Sequence, residues 1–202
     1  MKADTKSPAE IFGYHIRYVV PLFQRPYVWT EQDQWGPLWE DVAAVVDRLL
    51  EAPAQPFASP TVAPHFLDAI VVGQQAGTIG HIAVWHVVDG QQRLTTLQLL
   101  IEAARRVVDR HGTPVDQQAL RVLVYNEPSI TQSADEVFKV WPTDRDQDAY
   151  RAAMGAAEGV PQPTCSDAPA HCFRVAVDPA GSLGHGSHNG TMPQHLRLDR
   201  AA

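Results

Sequence analysis

The chain has 202 residues and a formal net charge of -7. That length allows one hydrophobic core with a small appendage, and that charge excludes a generally basic nucleic-acid coat protein while leaving room for a local basic patch. No apolar run reaches transmembrane length, the polar start Met1 to Glu10 has no signal-peptide apolar region, and the cysteines, Cys165 and Cys172, fall late; together these predict a cytoplasmic protein whose main body has no disulfide.

Ser7, Pro8 and Glu10 carry a helix-start pattern, a capping box with proline in the first turn, and Gly13 keeps that helix short. His15 to Pro21 alternates and is β-branched, which predicts a strand. A turn rich in aromatics follows from Leu22 to Trp29. Thr30 suits a helix cap, with Glu31 and Asp33 in the first turn. Trp35, Leu38, Trp39, Val42, Val45, Val46 and Leu49 then keep a helical period to about Leu50. Pro53, Pro56, Pro60 and Pro64 mark a loop. Phe66 to Gly73 and Ile79 to Val88 read as strands around a turn from Gln74 to Thr78. Leu94 to Asp109 reads as a helix, its buried stripe Leu97, Leu100, Ile101, Ala104 and Val108, ended by Gly112 and Pro114. Leu120 to Tyr125 and Val137 to Trp141 are further strand candidates, and Thr143 or Asp144 caps a helix running through Tyr150 to Met154. Beyond Gly155 the chain is rich in Pro, Gly, Ser and His without a sustained apolar period. Two regions result: a folded domain over 1–155 and a low-complexity tail over 156–202, expected to be disordered. Within that tail Cys165, Cys172, His171, His185 and His188 match no compact zinc-finger spacing.

The strongest chemical signal is Asp89-Gly90-Gln91-Gln92-Arg93, lying between an apolar β-branched run and an amphipathic helix. A strand-turn-helix order offers free backbone N–H groups at a helix start, where the dipole favours negative charge. Gly90 lets the backbone approach a ligand, Arg93 adds a cation of fork geometry, and Gln91 and Gln92 add neutral donors and acceptors. A phosphate site explains these groups; a tight turn with a surface arginine paired to a carboxylate is the plainer alternative. Asp68 stands in an apolar run, where a carboxylate is costly unless paired or exposed. An edge position is its plain explanation, and a metal or base role the sharper one.

The segment Asp89 to Leu97 closely resembles the GmrSD-type family of modification-dependent, type IV restriction proteins, to which the phosphorothioate-sensing SspE proteins belong. Two more blocks agree in order. Val20 to Trp29 is similar to the family's first motif, a proline, an aromatic, Gln-Arg, then Tyr and Trp. His65 to Val72 is similar to its middle strand, with Asp68 where glycine is usual. The resemblance covers roughly 10–150. It implies an α+β, ParB/sulfiredoxin-like fold, a mixed sheet with flanking helices, in which a glycine turn ending in Arg handles nucleotide phosphates. It also implies NTP hydrolysis, detection of modified DNA, and cutting by a separate C-terminal HNH-type nuclease domain. Neither the long helical region that leads to that nuclease nor its motif is found up to Ala202, so nuclease activity by this chain alone is not expected.

On this basis the expected function is a nucleotide-binding, NTP-hydrolysing sensor domain of a phage-defence restriction system. The alternatives are a non-catalytic ParB-like module gated by nucleotide or DNA, and a truncated inactive fragment. Asp89 and Arg93 are the expected catalytic pair. Asp89, Gly90, Gln91, Gln92, Arg93, Thr95, Gln24 and Arg25 are the expected nucleotide contacts. Asp89 is the expected ligand of Mg²⁺, directly or through water, or it positions the attacking water; capping the turn is its plain alternative. Thr95 and Thr96 are hydroxyl contacts or ordinary first-turn residues. Arg25, Tyr27 and Trp29 are the expected DNA contacts, with surface ion pairing for Arg25 and simple core packing for the aromatics as rivals. The cofactor set is NTP with Mg²⁺. The partners are modified DNA, a separate nuclease subunit and a second copy of the chain, with no membrane.

Overall fold

The computed structural model describes residues 3–52, 62–76 and 81–155, together with the backbone of Cys172–Ala176 and Arg197–Ala201. The architecture is α+β. In chain order it runs α1 (Pro8–Phe12), β1 (Ile16–Val19), α2 (Gly36–Glu51), β2 (Val71–Gln74), β3 (Ala83–Asp89), α3 (Gln91–His111), α4 (Pro114–Val124), β4 (Val140–Trp141), α5 (Gln147–Gly155), β5 (Cys172–Ala176) and β6 (Arg197–Ala201). The main sheet has the order β2-β3-β1-β4. β1 pairs in parallel with β3 and with β4, whereas β2 lies antiparallel on β3. A mixed sheet with flanking helices is therefore what the chain forms. Most of the 156–202 tail lies outside the described residues; within it, β5 and β6 pair antiparallel.

Local chemistry accounts for most helix starts. Ser7 and Glu10 close the capping box on α1, and Thr113 and Asp116 close a second one on α4. Thr30 accepts from Asp33 N, as its cap role requires, but the first turn, Glu31–Trp35, is wound wider than an α-helix before α2 begins. Phe12, Val87, Leu94, Val124, Val140 and Met154 are fully buried at the centre of the core. Each contributes about 1.5–3 kcal/mol by leaving water.

Four expectations change. Of Leu120 to Tyr125, expected as a strand, all but Tyr125 is the end of helix α4, because the capping box at Thr113 launches a helix through Val124. Only Tyr125 makes a strand-like bridge, to Phe138. The strand expected from Phe66 begins at Val71, since Asp68 turns the backbone with φ +76°. Strand β4 is confined to Val140–Trp141, and a tight turn occupies Ala134–Val137. The buried face of α3 is only partly the expected apolar stripe: Leu97 is buried and Ile101 packs against the core, but charged residues share that face. Ala104 is exposed, whereas Glu102, Arg105 and Arg106 are buried with Leu94, Leu97 and Leu99. Glu102 is 0% exposed, and its two oxygens receive Arg105 Nε at 2.6 Å, Arg105 Nη2 at 3.0 Å and Arg106 Nε at 2.8 Å. The polar residues are tolerated inside because they satisfy one another.

Candidate functional site

Strand β3 ends at Asp89 and helix α3 begins at Gln91, with Gly90 as the single residue between. Gly90 has φ +88°, in the left-handed region that favours glycine. A Cβ there would lie 3.0 Å from Ile70 Cγ1 and 3.1 Å from Ile70 Cα. The close approach of segment 62–70 to the turn thus requires glycine twice over. The first hydrogen bond of α3 runs from Leu94 N to Gly90 O, and no side chain caps the helix. The N–H groups of Gln91, Gln92 and Arg93 therefore have no acceptor within the helix, and the positive end of its dipole lies at this turn, where Gly90, Gln91 and Gln92 are buried and Arg93 is half-buried.

Asp89 and Arg93 flank this helix start. The Asp89 carboxylate is exposed and has no hydrogen-bond or ion-pair partner among the described residues. Arg93 leaves α3 toward segment 62–70. Its Nη1 donates to Ala69 O at 2.8 Å, and its Nη2 pairs with the Asp68 carboxylate. An arginine paired to a carboxylate is the plainer of the two expectations for this turn, and it is what the structure shows; the identity of the partner was hidden, since the two residues lie far apart in the chain and Asp68 fell in a predicted strand.

The two glutamines serve the scaffold through their side chains. Gln91 Nε2 donates to Arg25 O at 2.8 Å. Gln92 Nε2 donates to Pro26 O at 3.1 Å, and its Oε1 accepts from Val28 N at 2.9 Å. Gln24 Nε2 donates to the carbonyls of Val87 and Val88 at 2.7 and 3.1 Å. These amides clamp the turn from Leu22 to Trp29 onto the end of β3 and the start of α3. The amide side chains of Gln24, Gln91 and Gln92 are thus already paired within the protein, which does not match the expectation that they contact a nucleotide.

The clamp leaves Arg25 on the surface, exposed and without an ion pair among the described residues. Tyr27 goes the other way. It is 5% exposed, and its hydroxyl shares a 2.7 Å hydrogen bond with Thr96 Oγ1, which in turn donates to Gln92 O at 2.8 Å. Burial pushes the Tyr27 hydroxyl up to about 12. Tyr27 is thereby an interior strut between the first turn and α3, and Trp29 is half-buried. Phe23, by contrast, is 89% exposed. Thr95 is buried on the first turn of α3, with no side-chain bond shown to a neighbour.

Asp146 went unnoticed in the sequence. Its Oδ2 accepts from Tyr27 N at 2.9 Å and from Thr143 Oγ1 at 2.8 Å, just before α5. The Thr143–Asp146 spacing was a visible helix-start signal, but the tie across to Tyr27 exists only in three dimensions. The arrangement brings together the Asp89–Arg93 turn, the Gln24-Arg25 turn and the Asp68 segment.

Mg²⁺ takes one or two carboxylates and completes its octahedron with water and phosphate oxygens. One exposed, unpartnered carboxylate at Asp89, beside an anion-favouring helix start, fits that donor set. No group of three His, Cys, Asp or Glu side chains converges as a metal cage among the described residues. No helix among the described residues is long and apolar enough to cross a membrane.

The family model of the GmrSD restriction endonuclease, N-terminal domain, matches residues 9–169. That span takes in the first turn, the Asp68 segment, the glycine turn and α3. No curated protein matches the chain.

Proposed function

The chain belongs to the GmrSD restriction endonuclease family through that family's N-terminal domain, and from this premise we propose that it binds and hydrolyses a nucleoside triphosphate as the sensor part of a DNA restriction system. Membership suggests the restriction role. The nucleotide chemistry is supported by the uncapped start of α3 at left-handed Gly90, flanked by Asp89 and Arg93, which is the observation that carries the reading.

In this reading the N–H groups of Gln91 and Gln92 and the Arg93 guanidinium hold phosphate oxygens, through charge-assisted bonds roughly twice as strong as neutral ones. Asp89 holds Mg²⁺ or orients the attacking water. Mg²⁺ supplies neutralisation of charge on the phosphoryl oxygens. Arg93 adds fixed positive charge where negative charge develops. Arg25, exposed on the turn whose backbone Gln91 holds, contacts a further phosphate or the DNA backbone. Tyr27 fixes the spacing of the two turns and does not itself meet DNA.

The test is phosphate release from ATP and GTP by the purified chain, with and without modified DNA. Arg93→Ala is expected to abolish turnover while the circular-dichroism spectrum stays unchanged. Turnover at the wild-type rate in that variant defeats the assignment. Nucleotide binding without phosphate release, in the wild-type chain, assigns a gated binding module instead.

A further inference from the structure

Arg93 is already engaged by an anion of the protein itself. The Asp68 carboxylate pairs with Nη2, and Ala69 O accepts from Nη1. Together they take both ends of the guanidinium fork, the surface that a phosphate uses for bidentate binding. Asp68 reaches it from a backbone with φ +76°, and its Oδ1 accepts from Ala69 N at 2.7 Å. Asp is among the few residues that tolerate this left-handed conformation, through such local hydrogen bonding. The Asp68 side chain is 61% exposed, so water stands ready to take it when it leaves. The segment that carries it packs directly on Gly90, and it is tied to α2 by His65 Nε2, 3.3 Å from Asp41 Oδ2.

We propose that Asp68 is an internal competitor for the phosphate seat: its carboxylate holds Arg93 until a phosphate displaces it, and displacement releases the 62–70 segment from the helix start. The idea rests on the reading of Arg93 as a phosphate-holding group. Only the fraction of molecules with Arg93 released is ready to bind, so the pair lowers the apparent affinity by that fraction. For an exposed ion pair the reduction is about two- to fivefold. The same exchange couples occupancy of the seat to the freedom of a segment that touches α2.

Calorimetric titration of ATP in Mg²⁺ into the wild-type chain, Asp68→Asn, Arg93→Ala and the double variant tests this. Asparagine keeps the left-handed backbone and an oxygen for Ala69 N–H, and Asp68→Gly serves as a second variant should Asp68→Asn misfold. Asp68→Asn is expected to tighten ATP by about two- to fivefold at low salt, with no gain when Arg93 is absent. Arg93→Ala alone is expected to weaken ATP at least roughly tenfold. Unchanged or weaker ATP binding by the Asp68 variants, alongside a weakened Arg93→Ala, overturns the competitor and leaves the seat standing. Unchanged binding by Arg93→Ala removes the seat and the competitor with it.

Discussion

Gly90 and Asp68 are the positions where backbone conformation shapes the site, and both have positive φ. At Gly90 the demand is double, since a side chain would be strained at φ +88° and would press on Ile70. Gly90→Ala is expected to destabilise the domain by about 2–3 kcal/mol, from left-handed strain together with a crowded Cβ. A urea-denaturation midpoint equal to that of the wild type excludes this account. The substitution also pushes segment 62–70 off the turn, so Asp68 and Arg93 feel it too. Gln91, Gln92 and Gln24 show why residue type alone misleads about role. An amide is equally suited to a ligand and to a stray backbone carbonyl, and here the carbonyls of Arg25, Pro26, Val87 and Val88 take them.

Helix α3 joins the site to the rest of the core. Its first turn holds Gly90 and Arg93, and three turns later it buries Glu102 between Arg105 and Arg106. Arg106 Nη2 also reaches Ala153 O on α5, and Arg105 lies over the Tyr125 ring at 5.4 Å. Donation to the Glu102 carboxylate drives the Arg105 guanidinium still higher than its ordinary range, against the opposing effect of burial. Removing the carboxylate leaves two buried cations facing each other, with the half-exposed Asp109 as the one remaining carboxylate partner among the described residues. Glu102→Ala is therefore expected to cost about 3–5 kcal/mol, measured by thermal unfolding, and a loss below about 1 kcal/mol contradicts the role assigned to the network. The existence of α3 was plain from its apolar period and its Gly112 end. Its inward face was not, because a pattern that scores Glu and Arg as surface residues cannot anticipate charges that pay for burial by pairing.

Across the molecule, Lys139 and Asn126 tie the start of β1 to the segment that leads into its neighbour β4. Lys139 is 1% exposed and has no carboxylate partner among the described residues; its Nζ donates to Tyr14 O at 2.6 Å and to Asn126 Oδ1 at 3.2 Å. Asn126 also accepts from Ile16 N and donates to Ile16 O and Glu136 O. Burial brings the Lys139 ammonium down to about 8. Above that pH the folded chain has released a proton that the unfolded chain still holds, so stability rises from about pH 8 toward the ordinary lysine value near 10.4. Below pH 8 that contribution is absent. A gain on the order of 2 kcal/mol between pH 7.5 and 9.5 is expected in the wild type, and Lys139→Met should flatten it; the same slope in both proteins refutes the assignment. Tyr18 and Tyr27, pushed up to about 12 by burial, oppose the gain only above about pH 10. The capping boxes, the long α3 helix and the chemical character of the Asp89–Arg93 turn were legible in the chain, because capping and periodicity are local and act over a few residues. The helical fate of Leu120 to Val124 was legible too, from Thr113 and Asp116, but β-propensity obscured it. The pairing of Arg93 with Asp68, the inward turn of Tyr27, the tie to Asp146 and the buried charges of α3 follow from folding alone. Each joins groups distant in sequence or sets which face goes inward, and such contacts form where packing leaves a donor or a charge without water.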